Sequence, residues 1–177
     1  MKKIKHVIVL LLVGSLGFTA SAQSEKDQKI LADADEAVAT LVKIDPKMKD
    51  LFDKSAGAAV FPNVGKGGFI LGGASGNGVL FEYGKKVGMC SLKKVSVGLQ
   101  AGGEALIQVI FFKTEADVGK FKEGDYEFDA GISATAVTAG TSGNVKYTDG
   151  VAVYTYTKGG LMGDISVGGQ KFDYKPF

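Results

Sequence analysis

Apolar and polar residues alternate with a helical period in the first part of the chain. Within Glu25–Ile44, apolar side chains recur three or four positions apart, and most charged side chains lie between them. This spacing predicts an amphipathic helix whose apolar face packs on the rest of the protein. Asp45 and Pro46 predict the start of a second, shorter helix that ends near Gly57, with Asp45 as its N-cap and Pro46 in its first position.

From Ala58 onward, short runs of β-prone residues are separated by glycine-rich or lysine-containing turns. Side chains alternate with a period of two in Val151–Thr157, which predicts a strand. Glu104–Phe112 is apolar over most of its length, which predicts a central strand buried on both faces. The other predicted strands are Ala58–Phe61, Gly68–Leu71, Val79–Tyr83, Val87–Leu92, Val95–Ala101, Tyr126–Val137, Asn144–Tyr147, Leu161–Val167 and Lys171–Tyr174.

One further helix is predicted between the strands. Thr114 and Asp117 have the spacing of a capping box, and the helix that they begin ends at about Lys122. These elements predict an α+β fold in which N-terminal amphipathic helices pack on a twisted antiparallel β-sheet. The pattern leaves open whether the sheet closes into a barrel or folds as a sandwich.

Residues 1–22 have the pattern of a secretory signal peptide. Lys2, Lys3 and Lys5 precede the apolar run Val7–Phe18, and Ala20–Ala22 forms a small-residue cleavage site. The residue directly after that site, Gln23, is not a cysteine, so the pattern of a lipid-anchored lipoprotein is absent. We therefore expect a periplasmic or secreted protein. Residues 23–177 are predicted to form one domain, with helices over about residues 25–56 and a β-rich part over about residues 58–175.

Composition limits the chemistry that this domain can perform. The only histidine, His6, lies in the predicted signal peptide, so Ser–His–Asp and Cys–His sites and histidine-ligated metal centres cannot form in residues 23–177. Cys90 is the only cysteine, which excludes an intramolecular disulfide and predicts a small buried side chain. We expect no enzyme activity, no metal and no cofactor.

The charge of the chain limits its partners. Of its 21 basic residues, three lie in the predicted signal peptide, which leaves 18 lysines against 19 acidic residues. This balance lacks the basic excess of a nucleic-acid-binding domain. Because the chain has no arginine, any contact with an anion must use lysine or backbone N–H groups.

Three glycine-rich segments carry a family resemblance. They are Phe61–Phe69, with the pattern Phe-Pro-x-Val-x-Lys-Gly-Gly-Phe, then Gly72–Val79, then Gly98–Gly102. In this order and spacing they resemble the SYLF domain, a lipid-binding family of bacteria and eukaryotes, and the resemblance extends from about Ile30 to the C-terminus. A Trp-Ser-x-Pro element of the eukaryotic relatives is missing over Met89–Lys93, so the chain is closer to the bacterial branch.

The resemblance implies a non-catalytic domain that contacts anionic phospholipid headgroups or a membrane surface at the cell envelope. Lys66 matches a basic position of the family motif, and the surrounding turn would present backbone N–H groups to an anion. Lysine pairs near the predicted hairpins would add positive charge, at about 1 kcal/mol per lysine beside an anionic membrane. The candidate anion-binding residues are Gly65, Lys66, Gly67, Gly68, Lys85 and Lys86.

In eukaryotic relatives an amphipathic N-terminal helix is implicated in membrane binding. The corresponding region here is Leu31–Phe52, but Glu25–Lys54 holds six lysines against eight acidic residues. We therefore expect this region to pack on the sheet, since anionic lipid would repel it.

Two other functions stay open. Glycine-rich strands, a signal peptide and a terminal Phe177 are also features of a small outer-membrane β-barrel, although Phe172 and Tyr174 have the opposite parity to Phe177. An envelope scaffold that binds another protein without binding lipid is the second alternative. The sequence does not define the ligand or the oligomeric state.

Overall fold

Two helices at the start of the chain follow the amphipathic pattern. The computed structural model describes residues 25–65, 74–94, 105–124, 126–129, 131–143, 145–157 and 165–177. Helix α1 spans residues 25–44, and helix α2 spans Met48–Lys54. The apolar side chains of Ala34, Ala37 and Leu41 are buried, as is that of Met48 on α2. Both predicted helices are confirmed.

The predicted N-cap of α2 is wrong. The cap residue is Lys47, whose side chain makes no capping hydrogen bond. The Asp45 carboxylate instead accepts hydrogen bonds from the backbone N–H groups of Lys47, at 3.2 Å, and of Ser142, at 2.8 Å. Asp45 therefore links the turn between α1 and α2 to a distant loop.

The described residues form a sheet of nine strands: β1 Gly57–Val64, β2 Ala74–Glu82, β3 Lys85–Lys94, β4 Leu106–Phe112, β5 Tyr126–Glu127, β6 Ser133–Ala136, β7 Val151–Thr157, β8 Ile165–Ser166 and β9 Gln170–Pro176. Their order in the sheet is β5-β9-β3-β2-β1-β4-β7-β6-β8. Helix α3, Glu115–Lys122, lies between β4 and β5, and it begins with the predicted capping box of Thr114 and Asp117. The α+β class is confirmed.

The sheet is antiparallel except at one pairing, where the prediction of a wholly antiparallel sheet is wrong. Strands β6 and β7 run parallel, with Ala134 opposite Val153. A parallel pair needs a long connection that returns the chain to the starting end of the sheet. Residues 137–150 form that connection, which includes a short 3-10 helix at Thr141–Gly143.

Several predicted strands differ from those observed. The predicted strand Tyr126–Val137 is divided into β5 and β6, because a backbone hydrogen bond of 3.1 Å from Ile132 N–H to Asp129 C=O closes a turn between them. Residues 145–147 of the predicted strand Asn144–Tyr147 carry no strand. The predicted strands Gly68–Leu71 and Val95–Ala101 lie outside the described residues. Strand β4 is buried at every position, as predicted.

The sheet curls so that strands far apart in its order come together. Only residues 167–169 separate β8, at one end of the order, from β9, next to the other end. Phe61 on β1 and Phe172 on β9 have ring centroids 5.8 Å apart, although two strands lie between them in the sheet. Gln108 on β4 and Gln170 on β9 exchange hydrogen bonds of 2.7 and 3.1 Å across the interior. The curled sheet therefore encloses a core of its own.

The two faces of the sheet are packed differently. The inner face and α3 form an aromatic core in which Phe61 is fully buried. The outer face is covered by α1 and α2, where the Phe52 and Phe111 rings pack in a T-shaped arrangement with their centroids 4.9 Å apart. The acid-rich N-terminal region therefore packs on the sheet, as its charge predicts.

Candidate functional site

The candidate anion-binding residues divide between the two ends of β2. Gly65 bridges Ser75 through two backbone hydrogen bonds of 3.1 and 3.0 Å, at the start of β2. Lys85 lies opposite Glu82 at the other end. At roughly 3.3 Å per residue, the strand from Ser75 to Glu82 extends about 23 Å. Gly65 and the Lys85–Lys86 pair therefore do not share one contact surface, whereas Lys66, Gly67 and Gly68 lie outside the described residues.

A different lysine lies near Gly65. Lys93 on β3 is directly opposite Ser75, the bridge partner of Gly65. Its ammonium group lies 3.4 Å from the carboxylate of Asp173 on β9, and its side chain is well exposed. The positive charge at this end of β3 is thus partly compensated by a neighbouring acid.

At the other end, β2 and β3 are joined by a two-residue hairpin turn. Tyr83 and Gly84 have φ values of 49° and 74°, the left-handed pair that such a turn requires. A Cβ on Gly84 would meet no atom within 4 Å, so the turn requires the conformation of glycine and not its small size. The turn directs Tyr83 outward, where its side chain is 68% exposed.

A second aromatic side chain lies at the same end. The backbone N–H of Phe177 donates a hydrogen bond of 3.3 Å to Val87 C=O on β3, and the hydroxyl of Tyr174 donates to the same oxygen at 3.0 Å. Phe177 is 66% exposed; with Tyr83 it makes up the exposed large hydrophobic side chains of the described chain. We call the surface formed by Tyr83, Lys85, Lys86, Lys175 and Phe177 the hairpin end.

The lysines of the hairpin end have different environments. The Lys86 ammonium group lies 2.6 Å from the Asp35 carboxylate and 3.4 Å from Leu31 C=O, and its side chain is 29% exposed. Lys86 thus holds β3 to α1, and its charge is compensated. Lys85 and Lys175 are exposed, and no hydrogen bond or ion pair of their side chains is present among the described residues.

The acidic groups near the hairpin end are also engaged. The Lys122 ammonium group lies 2.7 Å from the Glu82 carboxylate. The Tyr83 hydroxyl donates to Glu115, and this hydrogen bond is the main reason that the pKa of Tyr83 is raised above its usual value. Tyr83 is therefore neutral at physiological pH. Among the described residues of the hairpin end, the lysines without an acidic partner are thus Lys85 and Lys175, whereas Glu115, which accepts from the neutral Tyr83 hydroxyl, has no basic partner.

The described residues offer little acid–base or metal chemistry. No group of three or more His, Cys, Asp or Glu side chains is arranged to hold a metal ion in the described ranges. Cys90 is buried as predicted, and burial raises the pKa of its thiol, so the thiolate needed for reactivity does not form.

The buried carboxylate of Asp45 has a structural role. Burial acts to raise its pKa, but hydrogen bonds from the Ser142 side chain and backbone outweigh this effect and lower the pKa overall. The Ser142 hydroxyl donates to Asp45 at 2.6 Å. Asp45 stays ionised and fixes the loop, and it is not poised for proton transfer.

Comparison with known proteins agrees with the motif resemblance. A family model described as Ysc84, the Las17-binding protein actin regulator, matches residues 93–175. Beta cell expansion factor A of Aeromonas veronii is 32% identical over 142 residues, which is 78% of this chain and 53% of that protein. The chain belongs to the SYLF family. It spans about half the length of the curated relative that it matches.

The part of the chain that matches the Ysc84 family model includes only one residue of the hairpin end, Lys175. It begins within β3 and ends within β9, so Lys175 lies inside it, whereas Tyr83, Lys85 and Phe177 lie outside. In the part of the chain that the structure describes, no helix has the length and apolar character needed to cross a membrane.

Sequence reasoning missed three residues of the hairpin end. Tyr83 followed by Gly84 between two β-prone runs is a signal for a two-residue turn, and it could have placed Tyr83 at an exposed tip. Lys175 and Phe177 had no local signal, because their positions depend on the pairing of β9 with β3.

Proposed function

We propose that this SYLF protein is a non-catalytic, peripheral lipid-binding domain whose hairpin end contacts anionic phospholipid headgroups at the cell envelope. The observation that supports this most directly is the presence of two exposed aromatic side chains and two lysines without acidic partners toward one end of the sheet. Aromatic side chains suit the interface of a bilayer because an apolar ring can enter the lipid while polar atoms stay in water. The neighbouring lysines favour an anionic leaflet.

The contact is expected to be weak and reversible. Lys85 and Lys175 together contribute about 2 kcal/mol beside an anionic membrane. Full burial of a phenylalanine side chain contributes about 1.5–3 kcal/mol, and Phe177 is 66% exposed before contact. Neither part alone gives stable attachment, so binding should require both the aromatic residues and the lysines. It should also weaken as salt screens the charges.

Flotation with vesicles tests this proposal. The protein is mixed with phosphatidylcholine vesicles that contain or lack phosphatidylglycerol, at low and high salt. We expect salt-sensitive flotation with phosphatidylglycerol that is lost in Lys85→Glu/Lys175→Glu and in Tyr83→Ser/Phe177→Ser. Equal flotation with both vesicle types, or unchanged flotation of both double variants, would contradict the proposal.

Matched variants at the opposite end of the sheet provide the control. Lys93→Glu/Lys171→Glu makes the same charge change on the same two strands, at the end near Gly65. We expect it to retain most of the binding. Lys66→Glu belongs in the same series, because Lys66 is still a predicted contact. Loss of binding only in these variants would move the lipid contact to the Gly65 end.

The proposed location of the protein is the periplasm or the medium. Residues 1–22 supply the signal-peptide pattern that supports this. Expression in a Gram-negative host, followed by fractionation and mass spectrometry, should give a protein that begins at Gln23. A full-length protein in the cytosolic fraction would contradict export.

A protein partner is the second candidate, since the matching family is described as a Las17-binding actin regulator. Exposed aromatic residues are also enriched at protein interfaces. Folded protein that floats with no vesicle composition, and yet binds an envelope protein through Tyr83 and Phe177, would favour this function over lipid binding.

A further inference from the structure

A cavity of about 490 Å³ lies between α1 and the sheet. Its polar lining includes Glu36 and Thr40 on α1 and Tyr156 on β7, and its apolar lining includes Pro62 on β1 and Ile107 on β4. These sheet residues lie toward the end of β1 that is opposite the hairpin end. The cavity is therefore separate from the proposed lipid contact.

A bulge in β1 forms one wall of the cavity. Phe61 pairs with Gln108, but the next pairing is Val64 with Leu106. Two residues of β1, Pro62 and Asn63, therefore lie opposite one residue of β4. Pro62 lies within this irregular step, where it has no N–H to leave unpaired. Across the cavity, α1 presents the small side chain of Ala37. The bulge and this small side chain leave space between the helix and the sheet.

The two acidic residues that line the cavity differ in whether their charge is paired. Asp33 is compensated, because the Lys29 ammonium group lies 2.9 Å away and Asn63 donates a hydrogen bond of 3.4 Å to the same carboxylate. The Glu36 carboxylate has no ion pair or hydrogen bond among the described residues, and the same is true of the hydroxyls of Thr40 and Tyr156. Among the described residues of the lining, the uncompensated charge is thus a single negative charge, and two hydroxyl groups have no hydrogen-bond partner.

We propose that this cavity binds a small amphiphile that carries an ammonium group on a short alkyl chain. The ammonium group would pair with Glu36 and donate to the hydroxyl oxygens of Thr40 and Tyr156. The Tyr156 ring offers a further attraction for a cation. The alkyl chain would lie on Pro62 and Ile107. A phospholipid headgroup amine and a free alkylamine both present such an ammonium group, and the proposal does not depend on lipid binding at the hairpin end.

Three probes of equal chain length test the proposal. Octylamine, octanol and octanoate are titrated at pH 7 into the isotopically labelled protein, and amide shifts around the cavity are followed by NMR. We expect saturable binding in the order octylamine, octanol, octanoate. Glu36→Gln should weaken octylamine binding about fivefold and leave octanol binding unchanged. Glu123→Gln, which removes an exposed carboxylate directly after α3, should leave all three affinities unchanged.

A second pair of variants tests the cavity itself. Thr40→Phe adds a ring that fills the space, and it should abolish binding of all three probes. Ala39→Phe adds the same ring on the exposed side of α1, and it should leave binding intact. Where Thr40→Phe does not fold, the Glu36→Gln comparison still decides. Octanoate binding as strong as octylamine binding, or unchanged octylamine affinity in Glu36→Gln, would overturn the proposal.

Competition identifies the source of the amine. Phosphatidylethanolamine vesicles that displace octylamine, where phosphatidylcholine vesicles do not, would assign the cavity to a phospholipid headgroup. Displacement by soluble alkylamines alone would assign it to a free amine. Both results support recognition of an ammonium group, and they are independent of the phosphatidylglycerol flotation that tests the hairpin end.

Discussion

The buried Gln108–Gln170 pair gives a quantitative test of the curled sheet. Each side chain is 1% exposed, and the two amides donate to one another across the interior. In Gln108→Met, a side chain of similar length replaces the amide, and Gln170 keeps a donor and an acceptor that are both buried and unpaired. An unsatisfied buried polar group costs about 1–3 kcal/mol, so the loss should be about 2–6 kcal/mol.

Removal of both amides should restore most of that stability. In Gln108→Met/Gln170→Met no buried amide is left unpaired, and replacement of both partners by apolar groups is nearly neutral. Urea unfolding followed by circular dichroism measures the four free energies of unfolding in the double-mutant cycle. Two single losses that simply add in the double variant would refute the contact between β4 and β9, and with it the curl of the sheet.

Three further predictions follow from buried or paired groups. The pKa of Asp45 is lowered in the folded protein, so the carboxylate stabilises the fold above its unfolded pKa near 3.8, and this contribution is lost as pH falls below that value. Asp45→Asn should therefore lower the free energy of unfolding at pH 7 and make that free energy less sensitive to acidification. An unchanged pH dependence would contradict the lowered pKa of Asp45. Lys86→Met should speed amide hydrogen exchange in α1. The free energy of opening of the helix should fall by at most about 1 kcal/mol, because the ion pair with Asp35 is partly exposed. Unchanged exchange would show that the ion pair does not hold the helix to β3. Cys90 should react with a thiol reagent only after urea unfolds the protein, since its thiol is buried and its pKa is raised, and rapid labelling of folded protein would contradict that burial.

Local patterns in the sequence predicted the elements whose cause is local. The apolar spacing of α1 and the capping box at Thr114 depend on residues within a few positions of one another. The burial of β4 followed from the apolar character of Glu104–Phe112. The division of Tyr126–Val137 was missed although Asp129 and Gly131, which are residue types depleted in strands, stand where the hydrogen bond from Ile132 to Asp129 closes the turn.

The features that the sequence did not predict depend on pairing between strands that are distant in the chain. The parallel pairing of β6 with β7 depends on where residues 137–150 lead the chain, and no short pattern reports that. For the same reason, Gly65 and Lys85 were predicted to belong to one anion-binding surface, whereas the register of β2 places them at opposite ends of a strand. The exposure of Phe177 depends on the pairing of β9 with β3, which lie far apart in the chain.

A dye attached at the hairpin turn tests the proposed lipid contact most directly. Tyr83→Cys is labelled with an environment-sensitive fluorophore, which the buried Cys90 does not take up in the folded protein. Ala39→Cys, exposed on α1, is the control. Phosphatidylglycerol vesicles should shift the emission of the Tyr83→Cys label to the blue and leave the Ala39→Cys label unchanged. Protein that floats with these vesicles while the Tyr83→Cys emission does not move would contradict the account.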